Sequence, residues 1–269
     1  VIYCNGCSHS AGGGMETHRI KEEGGNARDF YKSKYDVWWD NQSDITYSKR
    51  LADLYGIECV NEAYSGGGSG RVVRMAYDFV KKNWNRRDKL FLILEAPSLG
   101  RLDLWSNLLQ DYFIFNMQFN TQDYSDNSTN FMYGIRKYYQ ESYLKDNEIL
   151  AFGLKQYYKF FFDKKDEYKK ISRELNTLFT YLRYHKIKFI FFDGEFGGSI
   201  DSDIKKTNML SIKVGNQIIN DFHEYAIQTK GTLAEETDMQ YMDLHPGYFC
   251  HQNFANDLYS YINENYEKF

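Results

Sequence analysis

The spacing of apolar positions changes several times along the chain, and each change marks a different element. Ile2 to Asn5 is a short apolar strand candidate that ends in a glycine-rich turn, Gly6 and then Gly12 to Gly14. Residues 15–42 are polar without a clear period and predict a loop with a short helix. Ser43-Asp44-Ile45-Thr46 opens a helix to about Tyr55, with Leu51 and Leu54 on its buried side. Gly56 stops it at the position favoured past a helix end. Ile57 to Ala63 predicts a second strand, Ser65 to Gly70 a loop, and Arg71 to about Trp84 a helix. Lys89 to Ala96, KLFLILEA, is almost continuously apolar, as expected of a parallel strand covered on both faces.

Residues 101–165 break this rhythm. Tyr112, Phe113, Phe115, Phe119, Phe131 and Tyr133 make the stretch aromatic and predict an insertion or cap. Helices are expected from about Ile135 to Phe162, with a break, and from about Asp166 to His185. Lys188 to Asp193, KFIFFD, is a fourth strand. Gly194 to Leu233 reads as an irregular stretch holding one helix, Tyr241-Met242 as a short last strand, and Tyr248 to Tyr266 as the closing helix. Strands alternating with helices predict βαβ units and an α/β fold with a mostly parallel sheet of about five strands. The 269 residues suit one such domain. Ligand sites in these sheets lie where loops leave the carboxyl ends of strands. Four loops are therefore of interest: Gly6–Gly14, Tyr64–Gly70, Pro97–Asp103 and Asp243–His251.

Composition narrows the classes of partner. A net charge of −4 provides no global basic field for nucleic acid. No apolar run is long enough to span a bilayer, and no signal peptide is visible, so the expectation is a cytoplasmic protein without a membrane partner. Four cysteines are sparse for a chain of this size and suggest reduced thiols. Cys4-x-x-Cys7 beside His9 has the look of half a metal site. Residues three apart on a strand face opposite sides, however, and no second pair completes four ligands, so no metal is expected.

Three of the loops carry candidate chemistry. Ser8 sits just past a strand in a glycine-flanked turn, where a hydroxyl can project beside backbone N–H groups. The alternative for an isolated serine is a turn or helix-cap role. The three glycines Gly66 to Gly68 allow backbone N–H groups to approach a ligand closely, for oxyanion stabilisation or for phosphate at a helix start. Asp243-Leu244-His245-Pro246 places a histidine near an acid just before the last helix, the usual form of a general base with its orienting carboxylate. His251 is expected to pack within the first turn of that helix.

Together these blocks resemble the SGNH (GDSL-like) hydrolases. Cys4-Asn5-Gly6-Cys7-Ser8-His9-Ser10 resembles their first block, strand–Gly-Asp-Ser-x-Ser/Thr, with Cys7 in place of Asp. Asn61 to Ser69 resembles the second, with Gly66 the best match to the oxyanion glycine, and Asp243 to His245 resembles the last. The opening is especially similar to SGNH-like proteins of bacteriophages and marine bacteria. Two positions depart from the pattern. The third block's Asn is missing, with Ser98 and Arg101 standing nearby, and Asp243 lies two residues before the histidine rather than three.

The resemblance implies a flavodoxin-like three-layer α/β/α sandwich with an aromatic-rich helical insertion. It implies an esterase, in particular a carbohydrate O-acetyl esterase, with Ser8 as nucleophile, His245 as base and Asp243 as the acid. Gly66, with Ser69, Ser98 and Arg101, would serve the oxyanion and substrate, and no cofactor is needed. The substrate would be a small-molecule or carbohydrate ester. Two other readings stay open: a degenerate SGNH fold serving as a binding or phage structural protein, and a nucleotide-binding protein using the Gly66–Gly70 loop.

Overall fold

The computed structural model describes residues 1–12, 45–64, 67–96, 101–106, 111–117, 131–134, 156–157, 160–161, 163–193, 209–232 and 245–266. In chain order these form β1 (Ile2–Asn5), α1 (Ser8–Ala11), α2 (Tyr47–Tyr55), β2 (Cys59–Asn61), α3 (Ser69–Lys82) and β3 (Phe91–Ala96). Then come β4 (Arg101–Ser106), β5 (Asp111–Met117), β6 (Phe131–Gly134), α4 (Lys164–Tyr184) and β7 (Lys188–Asp193). A hairpin, β8 (Ile212–Val214) and β9 (Gln217–Ile219), precedes α5 (Phe222–Gln228) and α6 (Tyr248–Asn265).

β1, β2, β3 and β7 pair in parallel in the order β2-β1-β3-β7. Alternation along each strand explains why these strands read as unbroken apolar runs. Ile2, Cys4, Phe91, Ile93, Ile190 and Phe192 face one way, against Tyr47 and Leu51 of α2, Phe222 of α5, and Phe254 and Leu258 of α6. Tyr3, Leu92, Leu94, Phe189 and Phe191 face the other way, against Val72 and Phe79 of α3 and Leu175 and Phe179 of α4. Helices thus cover both faces of the sheet, and neither face has a polar side to show.

Helix ends follow local chemistry. Gly56 closes α2 with φ 66, a left-handed conformation that glycine adopts without strain. Asp163 caps α4 by accepting from the Asp166 amide, and Asp221 caps α5 by accepting from the His223 and Glu224 amides. Leu54 is a correction: it is 47% exposed, whereas Leu51 is buried. The buried stripe of α2 is Tyr47, Ser48, Leu51 and Ala52, and Leu54 lies roughly a quarter-turn from its centre.

The first part of the expected helical insertion, 101–134, contains strands. β4, β5 and β6 form a three-stranded antiparallel sheet, with Asp103 opposite Ile114 and Phe115 opposite Tyr133. Arg101-Leu102-Asp103-Leu104 alternates with period two, and Tyr112 to Phe115 is aromatic and β-branched, both of which suit a pleated strand better than a helix. Most of the expected helix over 135–162 and the expected strand at Tyr241-Met242 lie outside the described residues.

Candidate active site

β1 delivers the chain to its carboxyl end at Asn5, and Gly6 turns it. Ser8 then opens α1, a four-residue helix closed by the Ala11 amide donating to the Cys7 carbonyl at 3.0 Å. The turn is built around Glu95, a fully buried carboxylate on the central strand β3. Glu95 Oε2 accepts from the Cys7 amide at 2.9 Å and the Ser10 amide at 3.3 Å, while Oε1 accepts from Cys7 Sγ at 3.0 Å. Gly6 makes this approach possible. A Cβ on it would lie 2.1 Å from Glu95 Oε2 and 2.6 Å from Glu95 Cβ.

The loop after β2 is laced to the same turn. The Tyr64 amide donates to the Gly6 carbonyl at 3.1 Å, and Asn61 Nδ2 donates to the Ser10 carbonyl at 3.0 Å. Arg71 donates to Asn5 Oδ1 and to the Glu62 carbonyl, and its guanidinium lies over the Tyr64 ring. Gly68 packs so tightly on β4 that an added Cβ would meet the Arg101 carbonyl at 2.8 Å. Ser69, the first residue of α3, is buried, and its Oγ has no hydrogen-bond partner among the described residues.

The start of α6 reaches this region through one side chain. Ser10 Oγ and Tyr47 Oη are hydrogen-bonded at 2.7 Å, and the Tyr47 amide donates to His251 Nδ1 at 3.1 Å. His251 therefore accepts on Nδ1, and its ring stacks on Tyr47. His245 lies half-buried just before α6, where Pro246 pairs with Thr232 and the Gly247 amide donates to the Gly231 carbonyl at 2.7 Å. Tyr47 Oη also bonds Cys4 Sγ at 3.2 Å, and burial pushes the Cys4 thiol up to about 12, leaving it unreactive at neutral pH. Burial likewise holds the Tyr47 hydroxyl well above its ordinary range. Tyr47→Phe removes the hydroxyl between Ser10 and Cys4. It is expected to cost about 1–2 kcal/mol in urea unfolding, since two buried partners lose a bond.

Further acids gather at the same sheet edge. Asp193 ends β7, is buried, and lies in a parallel bridge with Asp221. Burial pushes the Asp221 carboxyl up to about 7; the amides of Glu224 and His223 oppose the rise, and the charges of Asp193 and Glu95 add to it. Among the described residues, no group of three His, Cys, Asp or Glu is arranged to hold a metal ion.

Of the expected site residues, the structure places Ser8 at the start of α1, Ser69 at the start of α3, Arg101 buried at the start of β4, and His245 before α6. The loop contacts bring the turn of Ser8, the start of α3 and Arg101 into one neighbourhood. Asp243, Gly66 and Ser98 lie outside the described residues. Glu95, Asp193 and Asp221 are not among the expected residues. The first two carry a readable signal, an acid at or next to the carboxyl end of an otherwise apolar strand. Asp221 carries none, because it sits in a stretch without period. No described helix is long and apolar enough to cross a membrane. Comparison with family models, with curated proteins and with solved structures gives no match for this chain.

Proposed function

We propose that this chain is a serine esterase of the SGNH kind, acting on an acyl ester such as an O-acetylated carbohydrate. The observation that carries the reading is the bonded path from Ser10 through Tyr47 to His251. It ties the Ser8 turn to the first turn of the helix that His245 precedes. The path runs between the turn that carries Ser8 and the helix that follows His245, which supports a site drawing on both ends of the sequence.

In this reading His245 takes the Ser8 proton as Ser8 Oγ bonds to the acyl carbon. The substrate oxygen, now negative, is stabilised by the Ser8 and Gly66 amides, with Ser69 and Arg101 beside them. The ester C–O bond then breaks, and His245 returns the proton to the departing alcohol. Water, deprotonated by His245, attacks the acyl-serine; the acyl–Oγ bond breaks, His245 returns the proton to Ser8 Oγ, and the acid is released. The resemblance gives Asp243 the task of orienting the imidazole and Ser98 a part in binding the substrate. The sheet β4-β5-β6 is the insertion on a flavodoxin-like sandwich and borders the glycine loop through Arg101 and Gly68.

The test is hydrolysis of p-nitrophenyl acetate by the wild type, Ser8→Ala and His245→Ala. The wild type is expected to turn over and both variants to fall to the buffer rate. Turnover that survives both substitutions overturns the assignment. One observation favours a second reading, a binding protein on the same fold: the Glu95 carboxylate, bonded on either side of Ser8, opposes negative charge developing there. A folded wild type with no turnover on any acyl ester would select that reading.

A further inference from the structure

We propose that Glu95 is the positioning residue of the Ser8 turn and that it selects Ser8 over the neighbouring Cys7 as nucleophile. The inference rests on the esterase reading for its catalytic half only. Its basis is one carboxylate that gathers three donors, the Cys7 amide, the Cys7 thiol and the Ser10 amide, so that Ser8 is bracketed from both sides. Glu95 stands on β3, an interior strand hydrogen-bonded to β1 on one side and β7 on the other. The turn therefore inherits the rigidity of the sheet through a side chain. Gly6 is cut away to let that side chain in.

A buried carboxylate is costly unless its oxygens are satisfied, and here the donors come from the very turn that carries the nucleophile. Packing alone would be met by an apolar residue, as at every other interior position of the strand, Phe91 to Leu94. The carboxylate also decides the chemistry of Cys7. The thiol is fully buried and donates to Glu95 Oε1 at 3.0 Å. The reactive form of cysteine is the thiolate. A thiolate at Cys7 would give up that bond and face a carboxylate oxygen at the same distance. Cys7 is held as a donor, and the adjacent hydroxyl is left to react.

The experiment compares the full-length wild type with Glu95→Gln and Glu95→Ala. Gln keeps one oxygen for the two amides and loses the acceptor for the thiol; Ala loses all three bonds. Alkylation of each cysteine by iodoacetamide is followed by peptide mass spectrometry, and ester turnover is measured in parallel. Cys4, Cys59 and Cys250 act as internal references for the rest of the fold. The expected result is that Cys7 alone gains reactivity, by about tenfold or more in Glu95→Ala, through local opening of the turn, with Glu95→Gln between. Turnover is expected to fall about 100-fold in kcat in Glu95→Ala at nearly constant KM, with partial rescue in Glu95→Gln, as for a misplaced nucleophile. Wild-type labelling of Cys7 in both variants overturns the proposal, and so does equal acceleration of all four cysteines, which would make Glu95 a general stabiliser. If the wild type hydrolyses no ester, the esterase reading fails by itself, and the Cys7 labelling still decides whether Glu95 holds the turn.

Discussion

Gly6→Ala is expected to destabilise the protein by roughly 3 kcal/mol or more and to disorder the Ser8 turn. The added Cβ would fall 2.6 Å from Glu95 Cβ and 2.9 Å from Glu95 Cδ, so the clash reaches the root of that side chain and not only its flexible end. Glu95 has no solvent side to retreat to, being fully buried on the central strand. Any retreat also breaks its bonds to Cys7 and Ser10, which are themselves buried away from solvent. Overpacking and lost hydrogen bonds therefore add. The measurement is urea unfolding, with Gly70→Ala as the control. At Gly70, inside α3, a Cβ would meet only Glu174 Oε2 at an ordinary 3.8 Å, so that variant is expected to be neutral or slightly stabilising. Equal stability of Gly6→Ala and the control would mean that the turn is not packed on Glu95 as described.

Asp221→Asn is expected to raise stability at pH 8 by an amount on the order of 4 kcal/mol at most, and to have little effect near pH 4. Burial lifts the Asp221 carboxyl from 3.8 to about 7 in the folded chain. Between those values the folded chain retains a proton that the unfolded chain has released. Stability contributed by this group is therefore complete below pH 3.8, declines as pH rises, and is lost above about pH 7. Asparagine avoids that loss because it carries no charge to bury beside Asp193 and Glu95. It also keeps an oxygen for the His223 and Glu224 amides that start α5. Paired urea unfolding of wild type and variant at pH 4, 6 and 8 gives the difference directly. A gain that stays constant across the three, or a loss at pH 8, would show that Asp221 is not a buried, proton-retaining group.

β1, β3 and β7 were legible because each is buried on both sides and reads as an apolar run. KFIFFD matches β7 residue for residue, and KLFLILEA contains β3. Helix ends were legible where one residue type performs one task, as at Gly56. The segment at 101–134 was read only as an aromatic insertion, because its aromatic content drew attention away from its period of two. The β8–β9 hairpin escaped because three-residue strands are too short to display a period.

Ser8 and His245 could be nominated from local chemistry, a serine past a strand in a glycine turn and a histidine before a helix. Glu95 could be noticed as an acid near the end of an apolar strand, but that signal does not say what it meets. Its partner Cys7 is 88 residues away, and only the pairing of β1 with β3 brings the two together. The same holds for His251 and Tyr47, which are separated by 204 residues and joined by one hydrogen bond. The sequence by itself determined the period of each element, the apolar faces and the residue types able to do chemistry, because these depend on neighbours in the chain. The tertiary structure alone decided which buried polar groups share a site, because that depends on strand order and register. Strand order is why the Ser8 turn rests on a carboxylate from β3, although Cys7 stands where the resembling motif has Asp.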